Sequence, residues 1–185
     1  MTPDPAFCDD RLAHWAEVKP DETCLEYLGR SWTWSQWNDR VRRAAGALAD
    51  LGIARGDVVA FLDKNHPAGV EISLGAGLLG AATAIVNFRL AGDELDYVIN
   101  DSGAQVLVVG TELMPQIEKI RSLLAGVRAV IEVTPSGEDD EYEALLEKAT
   151  PIGRQPGTSP EDTYLVLYSS GTTRSEEHTS ELQSH

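Results

Sequence analysis

The sequence predicts an α/β fold with a doubly wound, mostly parallel sheet and helices on both of its faces. From residue 58 onwards, short apolar runs alternate with segments of helical periodicity. The runs VVAFL and VLVV are apolar throughout, which is typical of parallel strands covered on both faces. Strands are predicted over 58–62, 83–86, 105–109 and 129–133, and helices over 67–79, 92–101 and 113–124.

The segment before residue 58 predicts a helix, a small hairpin and a longer second helix. The first helix is predicted over 10–19, and the two strands over 23–28 and 31–33, on either side of Gly29-Arg30. Thr33 and Gln36 have the spacing of a capping box, in which each side chain accepts a hydrogen bond from the other residue's backbone. The second helix should therefore begin there, and Gly52 favours its end near Leu51.

The composition changes after residue 133. Segment 134–162 is rich in proline, glycine and acidic residues, and we interpret it as a surface excursion with one short helix over 141–149. A last apolar strand is predicted over 164–168, and it leads directly into a run of hydroxyl side chains.

This run, Ser169-Ser170-Gly171-Thr172-Thr173, carries the chemistry of the sequence. Several hydroxyl groups and exposed backbone N–H groups around a glycine can bind one anion, and phosphate is the natural ligand. The pattern is neither the GxxxxGK[ST] loop nor the GxGxxG fingerprint. From spacing alone, an ordinary polar loop is an equally good interpretation.

Charge excludes one class of partner. The chain has 30 acidic and 15 basic residues, a formal charge of −15, so its average field repels nucleic acid and anionic lipid. Arg40, Arg42 and Arg43 form a local exception on a mostly polar helix face, which we interpret as solvated surface.

The sequence predicts a cytoplasmic protein without a transmembrane segment. Cys8 and Cys24 have neither zinc-site spacing nor the density of a disulfide scaffold, and the N-terminus is acidic where a signal peptide is basic. The longest apolar stretch, 72–86, is shorter than the roughly 20 residues that span a bilayer. Because it contains Gly75, Gly77 and Gly80, we interpret it as a buried helix that lies close to the sheet, with the strand that follows.

The hydroxyl run and the features before it resemble the adenylate-forming superfamily, which includes acyl-CoA synthetases, adenylation domains of peptide synthetases and luciferases. Tyr168-Ser169-Ser170-Gly171-Thr172-Thr173 resembles the start of the family's phosphate-binding signature. The upstream features that share the family's order are Thr33-Trp34, 51–57, Gly80-Ala81 and 87–90. Among the branches, Asn87-Phe88-Arg89-Leu90 and Asp101-Ser102-Gly103-Ala104 resemble bacterial fatty-acyl-CoA ligases most.

The resemblance implies a ligase that joins a small-molecule carboxylic acid, fatty or related, to ATP and then transfers the acyl group to coenzyme A. It implies that Ser169, Ser170, Gly171, Thr172 and Thr173 hold the β- and γ-phosphates, while Mg²⁺ offsets their charge. The catalytic residues of the family, including a lysine, would lie in a part that this chain lacks.

The resemblance ends at Thr173. The family continues with glycine, proline, lysine and glycine, whereas this chain continues with Arg174-Ser175-Glu176-Glu177, and 174–185 resembles a translated sequencing adapter. We therefore expect 1–173 to be a partial, N-terminal AMP-binding domain, 174–185 to be a foreign, disordered tail, and the chain to be inactive.

Histidines do not predict a metal site. His178, His185 and Glu181 lie in this tail at intervals that match no zinc pattern. His14 and His66 are isolated, and we interpret such histidines as surface or capping residues.

The alternative function for the whole chain is a nucleotide-binding or interaction module without catalysis.

Overall fold

A computed structural model describes residues 7–138 and 140–168. Its elements in chain order are α1 (Cys8–Val18), β1 (Thr23–Tyr27), β2 (Arg30–Thr33), α2 (Trp34–Asp50), β3 (Val58–Leu62), α3 (Pro67–Leu79), β4 (Ala82–Ile85), α4 (Asp93–Asp101), β5 (Ala104–Gly110), α5 (Met114–Ile120), β6 (Ala129–Val133), α6 (Glu141–Lys148) and β7 (Leu165–Leu167). The helix predicted over 113–124 is α-helical only in α5, with 3₁₀ turns at Thr111–Leu113 and Arg121–Leu123 on either side.

Five strands form one parallel sheet in the order β6-β5-β3-β4-β7. The central strand β3 pairs in parallel with β4 on one side and with β5 on the other, which confirms the predicted arrangement of these three strands. The predicted hairpin is also confirmed, because β1 and β2 pair antiparallel as a separate small sheet.

Helices cover both faces of the parallel sheet. On one face, Val59 and Phe61 of β3 pack in a cluster with residues of α2, α3 and α6. On the other, Ala60 and Leu62 pack in a cluster with residues of α4 and α5. The doubly wound α/β architecture is thus confirmed, with one apolar core on each side of the sheet.

The start of helix α2 is as the sequence predicts, but its packing against segment 72–86 is not. The predicted capping box is confirmed: the Gln36 N–H donates to Thr33 Oγ1 at 3.3 Å, and the Thr33 N–H donates to Gln36 Oε1 at 2.9 Å. Segment 72–86 contributes mostly buried residues, as predicted, but Gly75 approaches the backbone of α2 and not the sheet. A Cβ on Gly75 would lie 2.9 Å from the Ala45 nitrogen.

A buried cluster of charged and polar side chains joins α2, α3 and α6. Arg40 donates hydrogen bonds to both oxygens of Glu71 and to both oxygens of Glu143, and Tyr142 Oη donates to Glu71 at 2.9 Å. Glu71 is 0% exposed, and burial raises its pKa although Arg40 opposes the shift. Arg30 adds a second cation, with its guanidinium 2.7 Å from Glu143.

This cluster corrects two interpretations of the sequence. Arg40 is not on a solvated face, because it lies between two carboxylates in a largely buried position. Segment 134–162 is only in part a surface excursion: most of its described residues are exposed or partly buried, but Tyr142 and Leu146 of α6 are buried in the core, and the Ile152 N–H donates to the Arg42 carbonyl of α2 at 3.0 Å. Contacts between residues about a hundred positions apart bury the Arg40 side chain and hold α6 against α2.

We expect Gly46→Ala to destabilise the fold by about 1–3 kcal/mol through overpacking. Alanine ordinarily stabilises a helix interior by about 1 kcal/mol relative to glycine. At Gly46 of α2, however, the new Cβ would lie 2.1 Å from the Thr150 backbone oxygen. Urea unfolding measures the change, and Gly153→Ala is the matched control because its nearest contact, Arg42 Nη2, is 3.6 Å away. A Gly46→Ala variant as stable as the parent would contradict the close approach.

We expect Arg40→Met to cost about 3 kcal/mol of unfolding free energy, because it leaves the buried Glu71 carboxylate without its cation. The double variant Arg40→Met/Glu71→Leu removes both charges and should recover part of that loss. The free energies of the two single variants and the double variant form the test. A double variant less stable than Arg40→Met alone would show that the charge of Glu71 is not what makes the single change costly.

Candidate functional site

The carboxyl ends of the parallel strands meet at one edge of the sheet, and ligands of open α/β sheets bind at this edge. Segments 63–66, 86–92 and 110–113 leave it after β3, β4 and β5, and Tyr168 leaves it after β7. The predicted site residues, Ser169, Ser170, Gly171, Thr172 and Thr173, lie outside the described residues, as do 174–185. Tyr168 is the last described residue before the hydroxyl run, and it follows Leu167, which pairs with Ile85 at the end of β4.

Strand β7 has a neighbour on one side only among the described residues. It pairs in parallel with β4, with Leu167 opposite Ile85. Val166 and Tyr168 pack towards the core on the α4 side, whereas Leu165 and Leu167 are 40% and 69% exposed. In the described structure, β7 is thus an edge strand with one apolar face uncovered.

The Tyr168 hydroxyl is fixed by an acidic partner. Tyr168 Oη donates a hydrogen bond to Asp101 Oδ2 at 2.8 Å, between the end of β7 and the last residue of α4. Burial, and then the hydrogen bond to Asp101, raise the pKa of Tyr168 to about 12. The phenol therefore stays protonated at neutral pH and remains a donor. Sequence reasoning identified both residues in separate motifs but did not pair them, because 67 positions separate them.

The loop after β4 presents a cation at the same edge. Asn87 Oδ1 accepts a hydrogen bond from the Arg89 N–H at 3.1 Å, and the Leu90 N–H donates to the Asn87 carbonyl at 3.0 Å. These bonds fold 87–90 into a tight turn. Arg89 is exposed, with its guanidinium 5.6 Å from the centre of the Phe88 ring. The turn of the Asn87-Phe88-Arg89-Leu90 motif thus places a positive charge beyond the end of the strand that pairs with β7.

The crevice between the ends of β3 and β5 is chemically different. A cleft of about 210 Å³ lies there, lined in part by Asp63, Lys64 and Glu112. Lys64 is paired with Glu112, and burial raises the pKa of Asp63. Two carboxylates against one lysine disfavour an anionic ligand.

His66 caps α3 and is not a cation for phosphate. Its Nδ1 accepts a hydrogen bond from the Ala68 N–H at 3.1 Å, which confirms the capping interpretation. Burial lowers the pKa of His66, so the ring is neutral at pH 7. His14, the other isolated histidine, packs edge-on against Trp15 at 5.3 Å between ring centres.

Two further features concern metals and membranes. Within 7–138 and 140–168, no three His, Cys, Asp or Glu side chains are grouped so that they could hold a metal ion. In the same part of the chain, no helix combines the length and the apolar character needed to cross a membrane.

Most of this chain is similar in sequence to parts of known proteins. The feruloyl-CoA synthase of an Amycolatopsis species is 36% identical over 162 residues, which make up 85% of this chain and 30% of that protein. The long-chain-fatty-acid–CoA ligase FadD13 of Mycobacterium tuberculosis is 34% identical over 143 residues, which make up 76% of this chain and 27% of that protein. The chain therefore spans less than a third of the length of these two relatives.

Solved structures and a family model extend the similarity to the fold. The crystal structure of the anthranilate CoA ligase AuaEII in complex with anthranoyl-AMP matches with a TM-score of 0.82 and 26% identity, over 94% of this chain and 33% of that chain. The model of the family described as AMP-binding enzyme matches residues 12–173. Because this match covers most of the chain, the chain belongs to the AMP-binding enzyme family.

Proposed function

We propose that this chain is the N-terminal part of an AMP-forming acid–thiol ligase. In the first step, a carboxylate oxygen attacks the α-phosphorus of ATP, the bond to the β-phosphate oxygen breaks, and pyrophosphate leaves. In the second step, the thiolate of coenzyme A attacks the acyl carbon. The bond from this carbon to the bridging oxygen breaks, and AMP leaves with that oxygen. The observation that supports this function best is the position of β7, which runs parallel to β4 and ends immediately before the hydroxyl run.

The hydroxyl run would bind the β- and γ-phosphates. Ser169, Ser170, Thr172 and Thr173 provide O–H donors without a negative charge, and Gly171 lets the backbone approach a phosphate oxygen. Mg²⁺ would offset the charge of the phosphates and would be held largely by their oxygens, as is usual for this ion. These groups position the leaving pyrophosphate and stabilise its charge, and none of them acts as a base.

The acyl substrate is a small-molecule carboxylic acid. The named relatives act on ferulate and on long-chain fatty acids, which are both carboxylic acids. The formal charge of −15 disfavours nucleic acid as a partner. Both described cysteines are free thiols, which fits a reducing compartment such as the cytoplasm.

The chain alone should not catalyse either step. Relatives are about three times as long, and β7 has an uncovered edge and face in the described structure. We propose that 1–173 is a partial AMP-binding domain that requires the remaining parts of such an enzyme, and that 174–185 is foreign to it.

The test is carboxylate-dependent exchange of labelled pyrophosphate into ATP. We expect exchange by the protein extended to the length of its relatives with the downstream codons of its own gene, and no exchange by the present chain. Ferulate and a long-chain fatty acid should be assayed in parallel, with the reaction without carboxylate as the control. In the extended protein, Thr172→Val removes one phosphate-binding hydroxyl and should raise the KM for ATP about tenfold, because the bond is made to a charged group.

Two outcomes would contradict the proposal. Exchange by the present chain would show that the remaining two thirds of the relatives are not essential. ATP binding by the extended protein without exchange, for any carboxylate, would support a nucleotide-binding module without catalysis.

A further inference from the structure

We propose that Tyr168 and Asp101 are positioning residues for ATP: their hydrogen bond fixes the point at which the chain enters the hydroxyl run. This inference rests on the proposed function. It concerns two residues that would touch neither ATP nor the acyl substrate and would act through the segment that follows them.

The end of β7 needs an anchor because its strand pairing is weak. β7 has three residues, and it pairs with a single neighbour, β4, in the described structure. Short strands at a sheet edge open more readily than central ones. Backbone pairing alone would therefore leave the last residues of β7 free to move away from β4.

The Tyr168–Asp101 bond provides a directional restraint at that point. Between described residues, it is the one side-chain hydrogen bond that joins 164–168 to another element. Its length is 2.8 Å. The acceptor is a carboxylate, which makes the bond charge-assisted. The Tyr168 ring also packs against the core cluster on the α4 side, so both parts of the side chain are held.

Fixing this point affects ATP binding through preorganisation. A phosphate-binding segment that is ordered before ATP arrives does not lose conformational freedom on binding, so more of the interaction energy contributes to affinity. The anchor lies away from the reacting atoms. Its loss should weaken binding of ATP and of the transition state equally, which raises the KM for ATP and leaves kcat unchanged.

The first experiment measures adenylation kinetics in the extended protein. Tyr168→Phe and Asp101→Ala should each raise the KM for ATP about tenfold, the factor that corresponds to one hydrogen bond to a charged group, with kcat within twofold of the parent. Asp101→Asn keeps an acceptor oxygen and should restore most of the affinity. The double variant Tyr168→Phe/Asp101→Ala should be no worse than the more affected single variant, because both changes remove the same bond. Tyr97→Phe is the matched control, since Tyr97 is an exposed tyrosine of α4.

The second experiment measures the anchor directly, by amide hydrogen exchange at residues 165–168 of the present chain. Tyr168→Phe and Asp101→Ala should accelerate exchange there, whereas Asp101→Asn and Tyr97→Phe should not. Unchanged exchange in the first two variants would overturn the anchor. Accelerated exchange with an unchanged KM for ATP in an active extended protein would overturn its role in ATP binding and leave the proposed function intact. An extended protein that does not adenylate any carboxylate would overturn the proposed function and, with it, the role of the two residues in ATP binding. The hydrogen-exchange rates of the present chain would still establish or refute the anchor.

Discussion

The fold depends on the parallel pairing of β3 with a neighbour on each side. Parallel neighbours cannot be joined by a tight turn, so each connection must cross a face of the sheet, and such crossovers are right-handed. Because β4 lies on one side of β3 and β5 on the other, α3 and α4 cover opposite faces. The same constraint directs the carboxyl ends of all five strands to one edge, and the candidate site owes its position to that arrangement.

The helical layer of α2, α3 and α6 depends on a second constraint, the buried carboxylate of Glu71. A charge that is removed from water must be paired, and Arg40 and Tyr142 come from different helices to pair it. The cluster therefore fixes how α6 sits against α2 and α3. Together with the apolar contacts of Tyr142 and Leu146, it holds segment 134–162, which is polar in composition, against the domain. On the opposite face, Asp101 and Tyr168 make a comparable connection in a more exposed setting, between α4 and the end of β7.

Local chemistry made much of this fold predictable. The bounds of β3, α3 and β6 agree with the predictions because apolar runs there are bounded by Pro67, Gly80 and other clear signals. Predictions were wrong where distant residues decide the structure. The burial of Arg40, for example, depends on Glu143, 103 positions later. A separate difference lies around α5, where the helical periodicity of 113–124 did not reveal the two 3₁₀ turns. The hydroxyl run was identified from its residue types, whereas the Tyr168–Asp101 contact requires the fold to bring them together.

The central claim is that the carboxyl edge beside β4 and β7 binds the phosphates of ATP through the hydroxyl run. The most direct test is a crystal structure of the extended protein with a non-hydrolysable ATP analogue and Mg²⁺. The account predicts β- and γ-phosphate oxygens within hydrogen-bonding distance of Ser169, Thr172 and the Gly171 N–H, with Tyr168 still bound to Asp101. Phosphates located in the crevice between β3 and β5, or away from this edge, would contradict it.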